Sequence, residues 1–166
     1  MNNTRPTAFS TLLTAWLVAG TLDGLSAIVF FGPVLGRLTV TQLFQYIASA
    51  VQGKQAFAGG AAAAWLGVLL HYSVALIFTV LYFLLFPSIR AFARHKVLAG
   101  LCYGIVVWVI MNFCVLPLTQ VNRAPMRVAG AVKDMLILMV MIGLPISLIV
   151  YRYYRRRHLP GLEKTL

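Results

Sequence analysis

Acidic residues are nearly absent from this sequence. Of 166 residues only three are Asp or Glu, namely Asp23, Asp134 and Glu163, against 14 Lys and Arg. Two cysteines and three histidines complete a short inventory of reactive side chains. No HExxH, GxSxG, P-loop or CxxC pattern occurs, so the usual routes to metallohydrolase, acyl-transfer, nucleotide and dithiol chemistry lack their residues. Only His71 falls within a long hydrophobic run, while His95 and His158 lie outside one, which removes bis-histidine haem ligation and a metal site at one depth. We expect no metal, no cofactor and no catalysis. Cys102 and Cys114 are twelve positions apart on one expected helix, about 18 Å, whereas a disulfide requires Cα atoms within about 7 Å. They read as packing residues.

What is present is apolar. Hydrophobic residues make up 61% and charged residues 10%, and the mean hydropathy is +0.88. A soluble domain carries about 25% charged residues, so the composition is that of a membrane protein. The net charge of +11 does not suggest nucleic acid, because the basic residues flank hydrophobic runs instead of forming one patch. Four runs reach the length of about 20 residues needed to cross a hydrocarbon core: about 8–31, 61–86, 97–118 and 135–154. The expected class is all-α, an integral membrane four-helix bundle in a single membrane domain. The first run is too long for the apolar part of a cleaved signal and has only Arg5 ahead of it, so it is expected to stay in the membrane.

Basic residues set the orientation. Arg5, Arg90, Arg94, Lys96, Arg152, Arg155, Arg156, Arg157 and Lys164 fall on one side; Arg37, Lys54, Arg123, Arg127 and Lys133 fall on the other. The bias places both termini in the cytoplasm. Arg152, Arg155, Arg156 and Arg157 lead into a basic tail, 155–166, and are expected to contact lipid headgroups. Tyr151, Tyr153 and Tyr154 beside them read as an interfacial aromatic belt.

Between the first two runs, Thr39 and Gln42 form a capping-box pattern and Gly53 is placed to end a helix. Leu43, Ile47 and Val51 recur at four-residue steps while Gln42, Gln45, Ser49 and Gln52 fall largely elsewhere. This predicts an amphipathic helix over about 40–52, lying on the outer leaflet, capping the bundle or covering a cavity.

Small residues mark the packing faces. Gly20 with Gly24, and Gly100 with Gly104, are four apart, and Gly60 and Gly67 begin a stripe that continues through His71, Val74 and Phe78. Pro145 in "GLPIS" predicts a kink near the carbonyl of Met141.

Asp23 is the least expected residue of the first run. Its wheel neighbours Ala19, Gly20, Ser26 and Ala27 form the small face, so the carboxylate is expected to look at another helix. Exposure to lipid would cost at least about 2.5–3.5 kcal/mol. At 1.5 Å per residue, Asp23 lies about 12 Å from the outer end of its span, His71 about 15 Å and Asn112 about 9 Å, with Asp134 at the outer start of the fourth. The expected site is therefore an intramembrane polar cluster of Asp23, His71, Asn112 and Asp134. It serves either as interhelical glue, at an average of about 0.6 kcal/mol per bond, or as a proton-binding pair of Asp23 and His71.

The segments "IASAVQGKQAFAGG", "LLHYSVALIFTVLY", "GLCYGIVVWVIMNFCVLPL" and "GLPIS" resemble small four-span bacterial inner-membrane proteins and, more loosely, the YagU-like group. The resemblance implies a bacterial cytoplasmic membrane and at most a link to acid or envelope stress. It carries over no functional residue. The sequence thus leads to a non-enzymatic membrane protein with lipids as its surroundings and a second copy or another membrane protein as its expected partner. A small transporter or proton conductor is the alternative.

Overall fold

The computed structural model describes residues 6–88, 94–121 and 127–158, with side chains described up to Arg155. Arg5, Arg90, Arg123, Glu163 and Lys164 lie outside those residues, as do the side chains of Arg156, Arg157 and His158. The described residues are helical throughout, joined by short turns, with no strand among them.

Helix α1 (Ala8–Phe30) opens with a reciprocal capping box between Thr7 and Ser10. Helix α2 (Val40–Gln52) opens with a second one, between Thr39 and Gln42, and ends at Gly53, whose φ of 57° suits glycine. A 3-10 turn (Gly53–Ala58) leads to α3 (Gly60–Leu85), followed by another over Phe86–Ser88. The third rod is α4 (Lys96–Ile110), a π turn (Met111–Val115) and a 3-10 turn (Leu116–Leu118). The fourth is α5 (Val128–Leu138), a π turn (Met139–Gly143) and α6 (Leu144–His158). Four of these segments, Ala8–Phe30, Gly60–Ser88, Lys96–Leu118 and Val128–Arg155, are long and apolar enough to cross a membrane. The fourth begins at Val128 rather than near Met135, because Lys133 lies 4.3 Å over the ring of Phe31 and 3.9 Å from Asp134, which lets the helix run through both charges.

The two π turns share a cause. Each immediately precedes a Leu-Pro pair, Leu116-Pro117 and Leu144-Pro145. A proline ring collides with the carbonyl four residues back and offers no N–H to it. One wide turn shifts the ladder: Leu116 N–H donates to Met111 O and Leu144 N–H to Met139 O. The kink expected at Pro145 takes this form, and Pro117 has its counterpart.

The core sits where α3, α4 and α6 meet. Tyr82, Val107, Ile146 and Val150 are almost wholly buried there, with Phe78, Phe83, Phe86, Tyr103 and Tyr153 around them. The backbones of α4 and the fourth rod come into direct contact: a Cβ on Gly143 would collide with the carbonyl of Gly100, and one on Gly104 with the backbone of Met139. Gly100, Gly104 and Gly143 therefore act as one set, and Gly143 stands four residues before Ser147, a small pair on the fourth rod.

Three expectations are corrected. Gly60 is not a packing residue: nothing lies within 4 Å of a Cβ placed on it, and its φ of 55° is the reason for glycine there. The amphipathic helix fully buries only Leu43 of its Leu-Ile-Val stripe. It runs back along the start of α3, where a Cβ on Gly67 would collide with the backbone of Phe44 and where Ala48, Ala56 and Ala63 cluster. Its buried positions are Leu43, Gln45, Ala48 and Ser49, while Val51 is 56% exposed. Small and polar groups permit close approach, and Gln45 Nε2 donates to Gly60 O at 3.0 Å. The tyrosine belt is the third. Tyr153 is buried against Phe83, and Tyr154 stacks on Phe86 at 4.8 Å and donates to Phe83 O.

Candidate functional site: an aspartate–histidine couple between α1 and α3

Helix α1 meets α3 through its glycines. A Cβ on Gly20 would lie 3.1 Å from the Tyr72 ring, and one on Gly24 would lie 3.3 Å from His71 Nε2. The missing side chains leave room for two rings at the contact. His71 fills it so that Nε2 lies 2.9 Å from Gly20 O, and Nδ1 lies 4.0 Å from Asp23 Oδ2. Tyr72 crosses His71 edge-on at 5.4 Å and Trp16 edge-on at 6.1 Å. Trp16 Nε1 donates to Tyr72 O at 2.7 Å, and the Tyr72 hydroxyl shares a 3.0 Å hydrogen bond with Thr21.

The geometry fixes the histidine tautomer. A carbonyl oxygen only accepts, so Nε2 carries a hydrogen and donates it to Gly20 O. Nδ1 is then the nitrogen left for Asp23. At 4.0 Å the two are too far apart for a direct hydrogen bond, yet within ion-pairing range. The side chains are 19% exposed for Asp23 and 11% for His71, which leaves a narrow approach from outside.

The other two members of the expected cluster are elsewhere engaged. Asn112 stands in the π turn of the third rod, and its Nδ2 donates to Trp108 O on the same helix at 3.0 Å. The side chain thus bonds back onto its own helix, as short polar side chains in helices do. Asp134 pairs with Lys133, and its Oδ1 is buried without a hydrogen-bond partner. The structure thus joins Asp23 to His71 and gives Asn112 and Asp134 separate surroundings. Among the described residues no three His, Cys, Asp or Glu side chains gather into a metal-binding group. Cys102 and Cys114 are both exposed free thiols.

A second polar assembly went unrecognised in the sequence. Tyr82 on α3 donates to Ser147 Oγ on α6 at 2.7 Å, and Ser147 donates to Lys96 O on α4 at 2.6 Å. Tyr103 donates to Phe78 O at 2.6 Å, with its ring 4.7 Å from that of Tyr82. This relay is sealed in the core and ties three helices. The proximity of "GLPIS" to a small-residue stripe was the only available hint.

Two shallow apolar grooves mark the outer surface. One of about 640 Å³ runs between Phe30 and the Val132–Met141 face, and one of about 380 Å³ lies between Trp16, Trp65 and Tyr72. Neither is lined by Asp23 or His71. Searches of protein-family models, curated proteins and solved structures find no match to this chain.

Proposed function

We propose that this chain is a non-enzymatic, multi-pass protein of the bacterial cytoplasmic membrane, with both termini in the cytoplasm and a structural or accessory role in a homo-oligomer or larger membrane complex. One observation supports the reading: a set of polar side chains in the helix contacts bonds from one helix to another. His71 bonds to Gly20 O, Trp16 to Tyr72 O, Tyr103 to Phe78 O, and Tyr82 through Ser147 to Lys96 O. The orientation is tested by a cysteine at exposed Gln52, in a background with Cys102 and Cys114 replaced. A membrane-impermeant thiol reagent added to intact spheroplasts is expected to label it. Labelling only after lysis would invert the topology.

A second reading, a small transporter or proton conductor, is favoured by His71 Nδ1 lying 4.0 Å from Asp23 Oδ2 between two membrane-length helices. Liposomes containing a pH-sensitive dye separate the two. The structural role predicts no protein-dependent proton flux from the intact chain, from Asp23→Asn or from His71→Ala. Flux by the intact chain that either substitution abolishes, with folding retained, defeats the structural reading.

A further inference from the structure

Helix α6 carries Ser147, Tyr151 and Arg155 at four-residue steps, which aligns them on one face. Ser147 holds the first carbonyl of α4, that of Lys96, at 2.6 Å. One turn along, the Lys96 ammonium lies 5.1 Å from the centre of the Tyr151 ring; the Arg155 guanidinium lies 5.9 Å from the same ring. Two cations from two helices are thus gathered on one aromatic side chain. Their anchorage is firm, because the glycine contact between Gly100 and Gly143 and the bond from Ser147 to Lys96 O fix α4 against the fourth rod.

Contact with an aromatic ring leaves both cations with their full charge. The acids among the described residues are occupied elsewhere, Asp23 with His71 and Asp134 with Lys133. Among the described residues no acid pairs with Lys96 or Arg155, which leaves both open to an anion from outside. Its chemistry follows from position: Lys96 is the first residue of the third membrane-length segment and Arg155 the last of the fourth. Both stand where an apolar rod gives way to charge, the level of lipid phosphates.

We propose that Lys96, Tyr151 and Arg155 form a binding site for the phosphate of an anionic phospholipid, between the start of α4 and the end of α6. The site rests on the membrane-spanning reading above. It adds Lys96 and Tyr151 to the arginines of the tail and replaces a diffuse basic patch with a defined cleft. The two cations flank the phosphate, and the ring holds their side chains apart and keeps water from one side.

Native mass spectrometry of the full chain in detergent tests this, with phosphatidylglycerol and phosphatidylcholine of identical acyl chains as probes. Phosphatidylglycerol is expected to bind more tightly. Lys96→Gln and Arg155→Gln each weaken it about fivefold and leave phosphatidylcholine unchanged, whereas Arg155→Lys retains most of the binding. Lys54→Gln and Lys133→Gln, remote from the cleft, leave the preference intact. Equal binding of the two lipids, or an equal loss in the remote variants, overturns the site. Displacement of the lipid by glycerol phosphate also overturns it, since the ligand is then a free phosphate. Alkaline carbonate extraction keeps the two failures apart: a chain released to the aqueous phase ends the membrane reading, and a chain retained without lipid preference ends only the site. Far-UV circular dichroism of each exposed-position variant verifies its fold.

Discussion

The two polar assemblies of this protein are built to different tolerances. At the junction of α3, α4 and α6, Tyr82, Ser147 and Lys96 O form hydrogen bonds of 2.7 and 2.6 Å with no exposure of Ser147 or Tyr82. Between α1 and α3, His71 makes one good bond to Gly20 O, and Asp23 stands 4.0 Å away with part of its surface open. The first assembly has every hydrogen committed. The second has a nitrogen and a carboxylate that approach without closing. A closed network rigidifies, whereas an unclosed couple leaves its side chains freer to move.

Substitutions sharpen this contrast, and the largest effect belongs to the tight side. Gly143→Ala forces a methyl group onto the carbonyl of Gly100, and overpacking of this kind is expected to cost about 3 kcal/mol, read as a lowered midpoint of denaturant unfolding in detergent. Ser147→Ala follows at about 2 kcal/mol, since it strands the buried Tyr82 hydroxyl; Tyr82→Phe should cost less in the same assay. Gly60→Ala is expected to cost about 1 kcal/mol through its left-handed backbone alone, with no change in helix packing. Asp23→Asn comes last, at about 0.5 kcal/mol or below, because no short bond is lost. A cost of Asp23→Asn as large as that of Ser147→Ala would erase the contrast and make the couple a second structural lock.

The sequence disclosed these regions unequally. The four rods were legible because about 20 apolar residues have few other uses. Asp23 and His71 were legible as a pair because a carboxylate in a greasy run must find company, and counting rise per residue brings them to similar depth. Tyr82, Tyr103 and Ser147 were not, since a tyrosine in an apolar run looks the same whether it faces a helix or its surroundings. For helix α2 the pattern gave the bounds and caps and left the packed face open. A wheel assumes that the greasy side is the packed side, a rule for helices in water. Where large apolar groups can remain at the surface, small and polar residues such as Ala48, Ser49 and Gln45 take the contact instead. Asn112 matched the cluster in depth but not in direction, because the π turn ahead of Pro117 rotates it, and wide turns leave no periodic trace.

Gln120, just beyond the third rod, donates its backbone N–H to Ala50 O and its side-chain amide to Val51 O, and its side chain occupies the space beside Gly53. The hinge of the α2–α3 hairpin is thus latched by a residue from a distant part of the chain. Such a latch makes α2 a fifth strut rather than a flap, and any movement that freed it would first have to unfasten the segment leaving the third rod. The end of α2 and the residue that follows the third rod are therefore coupled through Gln120.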